Sequence, residues 1–146
     1  MNRKRAIEIT KEMWGRIAEI KDFSNFVSIP GIKQDTLSNM LKEGHISSQE
    51  MDALKQNYEC AFCTLYLDSD CLGCPGKPLW GKPEDIDDND EYEFTLCERS
   101  TKSPYSKIHR VFHKYSISTS TRISDLYEMS KLIRKWAREI ANFDYK

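Results

Sequence analysis

The sequence predicts a mainly α-helical fold organised around a central cysteine loop. Apolar residues recur at three- and four-residue intervals near both ends of the chain, as they do along one face of a helix. Between the two ends, four of the five cysteines fall within fifteen positions. A stretch this polar cannot build a core of its own, so we expect a metal ion to give it shape.

Length and charge suggest how the chain is divided. Its 146 residues are the size of one ordinary domain, so we expect one domain over 1–146. Residues 1–59 carry nine basic and nine acidic side chains, residues 60–98 carry two basic and ten acidic ones, and residues 99–146 carry eleven basic and four acidic ones. The acidic part is either screened by the basic part or meets a different partner. The expected parts are N-terminal helices in 1–59, a zinc-binding loop in 60–80, an acidic loop in 81–98 and basic C-terminal helices in 99–146.

Two helices are predicted before residue 45. Apolar side chains share one face of the first, which spans Ala6 to Ile20. A stretch rich in turn formers follows it and closes at Pro30 and Gly31. A short second helix then ends near Gly44, which suits the left-handed residue past a helix end. The expected inward side chains of the second helix are Leu37, Met40 and Leu41.

A third helix is predicted to begin with a capping box. In this motif the Ser47 hydroxyl and the Glu50 carboxylate each accept a hydrogen bond from a free backbone N–H. The helix is expected to run directly into Cys60. Its expected buried side consists of Met51, Leu54 and Tyr58.

The acidic loop and two more helices follow the cysteines. Eight carboxylates and no Lys or Arg lie between Glu84 and Glu98, which is typical of a loop. The alternation of Tyr92, Phe94 and Leu96 leaves a short strand or β-hairpin open. Ser103 is expected to cap the next helix, and a last helix follows the linker "SISTSTR". Pro104 is expected in the first turn of the earlier helix. The expected buried face of that helix consists of Tyr105, Ile108, Phe112 and Tyr115. The expected buried face of the last helix consists of Leu126, Met129, Ile133, Trp136, Ile140 and Phe143.

The four clustered cysteines have the spacing of two metal-binding hooks, Cys60-x-x-Cys63 and Cys71-x-x-Cys74. Each hook can direct two sulfurs at one ion while backbone amides hydrogen-bond to the thiolates. Zn²⁺ takes four ligands in a tetrahedron, about 2.3 Å from each sulfur, and tetrathiolate sites are normally structural. The seven residues between the hooks are fewer than the roughly 15 to 20 of paired zinc ribbons. We therefore predict zinc in a compact, knuckle-like loop.

Other chemistries of the same cysteines stay open. An iron–sulfur cluster uses the same ligand type, and Cys97 can substitute for one of the four if the fold brings it close. A thioredoxin-like redox pair needs one CxxC at a helix start after a strand, whereas here two pairs lie in loop-like sequence. Lasting disulfides are not expected, because no uninterrupted apolar run of a signal peptide or membrane span occurs and we expect a cytoplasmic protein.

A longer pattern surrounds the cysteines: C-x-x-C, a short loop, C-x-x-C-P, a Trp, another Cys, a "SPY" turn into a helix, and a last helix ending in isoleucine and alanine. The residues that carry it are Cys60, Cys63, Cys71, Cys74, Pro75, Trp80, Cys97, Ser103, Pro104, Tyr105, Ile140 and Ala141. This pattern, over roughly residues 54 to 143, resembles a group of uncharacterised small proteins of tailed phages and prophages. The chain departs from the group in "PGKPLW" and in its longer acidic insert. The resemblance implies a phage origin, a host-cell cytoplasmic location and a metal-organised helical fold, but no activity.

Two segments have features of nucleic-acid binding. "IPGIKQDTLSNMLKEGHIS" looks superficially like a helix-turn-helix, with Gln34, Thr36, Ser38 and Asn39 as base-reading side chains, but it lacks an excess of positive charge. The basic C-terminal helices are the better candidate, because their stripe can follow a phosphate backbone. The alternative is a solvated outer face that neutralises the acidic loop. The candidate residues are Lys107, Arg110, Lys114, Arg134, Lys135 and Arg138.

Catalytic motifs are not recognisable in the sequence. His109 and His113 lie four apart on a predicted helix, but Arg110 replaces the glutamate of an HExxH site, so surface histidines are expected. There is no Gly-rich phosphate loop, GxSxG elbow or convincing pair of isolated carboxylates. We therefore expect no enzyme.

The expected role is that of a small interaction protein that binds and modulates a host or phage macromolecule, with inhibition of host machinery or defence as its mode. Its acidic loop is expected to meet a basic surface of the partner through Asp85, Asp87, Asp88, Asp90 and Glu91. A nucleic-acid-binding zinc module is the alternative, and no membrane partner is expected. The oligomeric state stays open, since the last helix can pack in the core, which we favour, or form a dimer seam.

Overall fold

The computed structural model describes residues 1–66, 73–86, 96–116 and 123–146, and these ranges are mainly helical, as predicted. In them, β-type pairing is confined to one isolated bridge between Ile86 and Ser100. A 3₁₀ turn covers Pro83–Asp85. The α-helices of the described ranges are α1 (Arg3–Ile17), α2 (Ile29–Lys42), α3 (Ser48–Gln56), α4 (Ala61–Tyr66), α5 (Lys77–Trp80), α6 (Leu96–Arg99), α7 (Pro104–Ser116) and α8 (Ile123–Asn142).

The core lies where α8 packs against α1 and α7. From α8, Ile133, Ala137 and Ile140 are completely buried, and Met129 nearly so. This confirms the predicted apolar face of the last helix, which is used inside the chain. The predicted faces of α1 and α7 are also confirmed by their buried residues: Ala6, Ile9, Met13 and Ile17 on α1, and Tyr105, Ile108 and Phe112 on α7.

The starts of the helices follow local capping signals. Both bonds of the capping box between Ser47 and Glu50 are present at the start of α3, which confirms that prediction. Gly44 has φ +75°, as expected for the left-handed residue after α2. The prediction that Pro30 and Gly31 close the preceding turn was wrong. The Ser28 hydroxyl caps α2 by accepting a hydrogen bond from the Gly31 N–H. Pro30 and Gly31 therefore lie in the first turn of α2, where the backbone N–H that proline lacks would have no partner within the helix.

Two predicted helix ends were wrong. α1 ends at Ile17 and leaves Ile20 in the following turn. α3 ends at Gln56, and Tyr58, predicted to be buried, is 63% exposed. Tyr58 and Glu59 instead have φ of 60° and 53°, a left-handed pair that turns the chain toward the core before Cys60. Of the possible strand, Leu96 begins α6 instead, whereas Tyr92 and Phe94 lie outside the described residues.

No helix in the described ranges is both long and apolar enough to span a bilayer.

Candidate metal centre

A cavity of about 140 Å³ lies between α1, α2, α4 and α7, and three cysteines line it. Cys60 and Cys63 come from the start of α4, and Cys97 comes from α6. Aromatic side chains, Trp14, Phe62, Trp80 and Tyr105, form much of the remaining wall. The charged side chains at the cavity are Lys33, Glu59 and Glu98.

The first hook is the start of a helix rather than the loop-like turn that was predicted. Cys60 directly precedes α4, and its Sγ accepts a hydrogen bond from the Cys63 backbone N–H at 3.5 Å. The hydrogen bond from the Cys63 thiol lowers the pKa of Cys60 to about 6, against the effect of burial and with help from the Lys33 ammonium. The surroundings therefore favour the thiolate, which is the form that binds metals.

The helix start also meets one requirement of a redox pair. A thioredoxin-like site needs this position after a strand, whereas Cys60 follows the left-handed turn at Tyr58 and Glu59. Among the described residues, no cysteine forms a disulfide.

The second hook is described only in part, because Cys71 lies outside the described residues. Cys74 is half-buried and packs against the core. Burial is the main cause that raises the pKa of Tyr145, and the charges of Cys60 and Cys74 act in the same direction. The first hook lies beside this tyrosine, because Phe62, between Cys60 and Cys63, packs edge-on against the Tyr145 ring at 5.3 Å.

Arg3 ties the second hook to the rest of the molecule. Its Nη1 donates to the Gly73 carbonyl at 2.6 Å and to the Tyr66 hydroxyl at 3.1 Å. Its Nη2 donates to the Lys146 carbonyl. Gly73 has φ +80°, a conformation that favours glycine, and directly precedes Cys74. Arg3 thus holds the residue before Cys74 against the end of α4.

The described thiols do not by themselves form a closed metal site. In the described ranges, no three Cys, His, Asp or Glu side chains lie together in a way that could hold an ion. Cys97 therefore shares the cavity with Cys60 and Cys63 without completing a ligand set. The donor chemistry still fits zinc, since two hooks of soft thiolates are the expected ligands. The predicted set of Cys60, Cys63, Cys71 and Cys74 stays a prediction.

Lys33 is the residue at this site that the sequence analysis missed. It is 3% exposed, and its Nζ donates to the Tyr58 carbonyl at 2.6 Å and to the Tyr105 hydroxyl at 3.1 Å. The signal was available in the sequence, because Lys33 lies four residues after Ile29 and four before Leu37, on the buried face of α2. A lysine in that position must find internal partners.

The helix-turn-helix alternative loses support at α2. Thr36, one of its four candidate base-reading side chains, is buried and donates to the Ile32 carbonyl at 2.8 Å. Gln34 is exposed, but its amide donates to Glu59 at 2.8 Å. Both side chains serve the fold.

The basic candidates differ in their surroundings. Arg110 and Lys114 are exposed on α7 and Lys107 is half-buried, while Lys135 and Arg138 are exposed on α8. Arg134 instead donates to the carbonyls of Ile20 and Lys21, at 3.3 and 2.8 Å, and thereby fixes the turn after α1.

Of the acidic candidates, only Asp85 is described. Its carboxylate accepts a hydrogen bond from the Lys82 N–H at 2.9 Å and closes a turn. Asp87, Asp88, Asp90 and Glu91 lie outside the described residues.

The two histidines do not form a pair of surface residues. His113 is exposed, but His109 is half-buried with its ring edge-on to Tyr105 at 4.6 Å, so that part of the prediction was wrong. Burial, with the nearby Lys33 charge, lowers the pKa of His109 to about 4 and keeps the ring neutral.

Comparisons of the chain with protein-family models, curated proteins and solved structures gave no match. The functional conclusion therefore rests on the residues of this chain.

Proposed function

We propose that this chain is a small zinc-stabilised phage accessory protein that acts by binding and modulating a host or phage macromolecule, as an inhibitor of host machinery or defence. The observation that carries the proposal is the gathering of cysteines from separate parts of the chain around one centre. Cys60, Cys63 and Cys97 line one cavity, and Cys74 packs against the same core. We propose that the protein acts by binding its partner and not by catalysing a reaction.

Zinc would serve to fold the centre. The proposed ligands are Cys60, Cys63, Cys71 and Cys74, with Cys97 nearby. Structural zinc in small domains contributes on the order of 10 kcal/mol or more, which is comparable to the whole stability of a domain. When bound, the ion cross-links α4 to the segment before α5, two short elements that cannot persist as isolated helices.

The acidic segment is the proposed contact with the partner. Four thiolates around one dication carry a net charge of minus two, and eight carboxylates follow between Glu84 and Glu98. Such a surface repels phosphates and fits a basic protein surface. The partner is therefore proposed to be a host or phage protein.

Charge reversal tests this contact. Tagged protein would be used to capture the partner from infected cells, and the affinity of the purified pair would then be measured. Changing Asp87, Asp88, Asp90 and Glu91 to lysine should weaken binding strongly. A control with four exposed acidic residues elsewhere, Glu19, Asp35, Asp52 and Glu139, changed to lysine should bind as wild type. Equal affinity of both variants and wild type would remove the acidic segment from the proposal.

A nucleic-acid-binding zinc module is the second candidate, and α7 is the feature that favours it. α7 carries Lys107, Arg110 and Lys114 and no Asp or Glu. In the described part of the chain, none of the three forms a salt bridge. A basic stripe without ion pairs to the described residues is suited to a phosphate backbone.

A salt titration separates the two candidates. DNA or RNA binding that falls steeply with salt, and that Lys107→Glu with Arg110→Glu abolishes, would support the nucleic-acid module. Absence of binding even at low salt would support the interaction protein.

A further inference from the structure

Lys33 presents an electrostatic problem at the cysteine centre. Its side chain is buried in the core, with Nζ held by one carbonyl and one hydroxyl. In the described ranges, no carboxylate oxygen lies within salt-bridge distance of this ammonium. A buried charge without a counter-charge is costly, so a source of negative charge is needed nearby.

Neither carboxylate at the cavity forms an ion pair with Lys33. Glu59 is buried and accepts from the neutral Gln34 amide at 2.8 Å, but it lies beyond salt-bridge distance of the Lys33 ammonium. Glu98 is exposed, so water screens its charge. The remaining acidic groups at the cavity are the thiols of Cys60, Cys63 and Cys97.

The thiols and Lys33 face the same cavity, which Cys60, Cys63 and Cys97 line together with Lys33 and Tyr105. The Lys33 Nζ bonds to the carbonyl of Tyr58, two residues before Cys60, and lies 5.0 Å from the centre of the Tyr105 ring. The Tyr105 hydroxyl accepts a hydrogen bond from the same Nζ at 3.1 Å. Lys33, Tyr105 and the cysteines therefore form one electrostatic unit.

We propose that Lys33 is the internal counter-ion of the cysteine centre, whose ammonium offsets the negative charge that metal-bound thiolates accumulate inside the protein. The inference rests on the proposed function, because it assumes that the cysteines bind a metal. Lys33 is a positioning and charge-balancing residue and does not contact the ion. The centre would thus keep its thiolates in a low-dielectric interior with a smaller net charge than four sulfurs and one dication carry alone.

The test compares zinc binding by variants of the full chain. Zinc alone is added to the purified protein, and its dissociation constant is measured by competition with a chromophoric chelator. Lys33→Gln keeps a hydrogen-bond donor for Tyr58 but removes the charge, and should weaken zinc binding about 10- to 100-fold, as loss of other outer-shell partners does. Lys33→Arg keeps the charge and should bind close to wild type.

Two controls separate charge from packing. Tyr105→Phe removes a hydrogen-bond partner of Lys33 but leaves the ammonium, and should bind zinc as wild type. Lys55→Gln makes the same change at an exposed site on α3 and should also have no effect. Unchanged zinc binding by Lys33→Gln, or an equal loss in Tyr105→Phe or Lys33→Arg, would overturn the inference.

A second measurement applies if Lys33→Gln loses its helical circular dichroism even with zinc. The same substitution is then made together with Cys60→Ser and Cys63→Ser, which removes two thiolates. The decrease in the free energy of unfolding caused by Lys33→Gln should be smaller in that background than in the wild-type background. An equal decrease in both backgrounds would show that Lys33 contributes only through packing. If the wild type itself binds no zinc, the proposed function fails, whereas wild-type binding with an indifferent Lys33→Gln removes this inference alone.

Discussion

The helical bundle of α1, α7 and α8 and the region around the cysteines are held together in different ways. In the bundle, apolar faces such as that of Ile133 and Ile140 are completely buried. The cysteine region, residues 57–66 and 73–81, consists of the six-residue helix α4, the four-residue helix α5 and turns. Phe62 and Trp80 join the core from this region, and its turns are held by polar contacts from distant residues, notably Arg3 on Gly73 and Lys33 on Tyr58. The bundle is thus stabilised by burial along whole helices, whereas the short helices of the cysteine region bury single side chains and depend more on cross-links.

Loss of the metal ligands should have the largest effect, and this effect should fall on the cysteine region rather than on the bundle. Cys60→Ser together with Cys63→Ser should abolish zinc binding and cost on the order of 10 kcal/mol of binding energy. Because the cysteine region depends on that cross-link, its amides should lose protection from hydrogen exchange while those of α8 keep theirs. Zinc content per chain and site-resolved exchange measure this.

Cys97→Ser serves as the matched control for the ligand loss, and should retain zinc if the ligands are the two hooks. Full protection of the cysteine region in metal-free protein would contradict the assignment.

A cavity created in the bundle by a substitution should have the next largest effect. Ile133→Ala removes a completely buried side chain and should lower the free energy of unfolding by about 2–5 kcal/mol. Zinc stoichiometry should be unchanged, since α8 contributes no ligand. Denaturant unfolding measures the loss, and Leu132→Ala, at a half-buried neighbour on the same helix, should cost less. Equal costs would mean that burial does not dominate in the bundle.

Acid should weaken one polar contact between the N-terminal helices, and the loss of stability should be smaller than that expected for Ile133→Ala. The hydrogen bond from Arg5 lowers the pKa of Glu50 to about 2, and Arg5 Nε lies 2.7 Å from its carboxylate. The pKa of Glu50 is lower in the folded protein than in the unfolded chain. The contact therefore stabilises the protein fully above pH about 4.5, and this stabilisation is lost as the pH falls toward 2. At a site partly open to solvent we expect about 1–2 kcal/mol.

The difference in unfolding free energy between wild type and Glu50→Gln, followed from pH 6 to pH 2, isolates this contribution from acid effects on the thiolates. The difference should shrink to a small remainder at the acid end. A constant difference would show that the carboxylate charge is not responsible.

Removal of the Arg3 contact should have the smallest effect and should fall on the cysteine region. Arg3→Ala removes the donor to Gly73, Tyr66 and Lys146 and should cost about 1 kcal/mol, as expected for a largely exposed hydrogen-bonding group. Hydrogen exchange should rise at Gly73 and Cys74 and not in α8. Lys4→Ala, at the next and likewise exposed position of α1, should leave exchange there unchanged.

Prediction from the sequence succeeded where the signal was local. The capping box of Ser47 and Glu50 and the apolar spacing of α8 both depend on residues within a few positions of each other. It failed at Tyr58, which has helical spacing but follows the helix end in a left-handed turn. It also missed Lys33, because spacing alone does not tell whether a lysine on an apolar face finds partners inside.

Periodicity and short spacings are properties of neighbouring residues, so they sufficed to predict the helical class, the apolar faces of α1, α7 and α8, and the clustering of four cysteines. The surroundings of Cys60, by contrast, follow from how the helices pack. Lys33, Cys97 and Tyr105 come from three other helices and meet at one cavity. Their meeting depends on how α2, α6 and α7 pack around α4, and such packing follows from contacts between residues far apart in the chain, for which no local pattern exists.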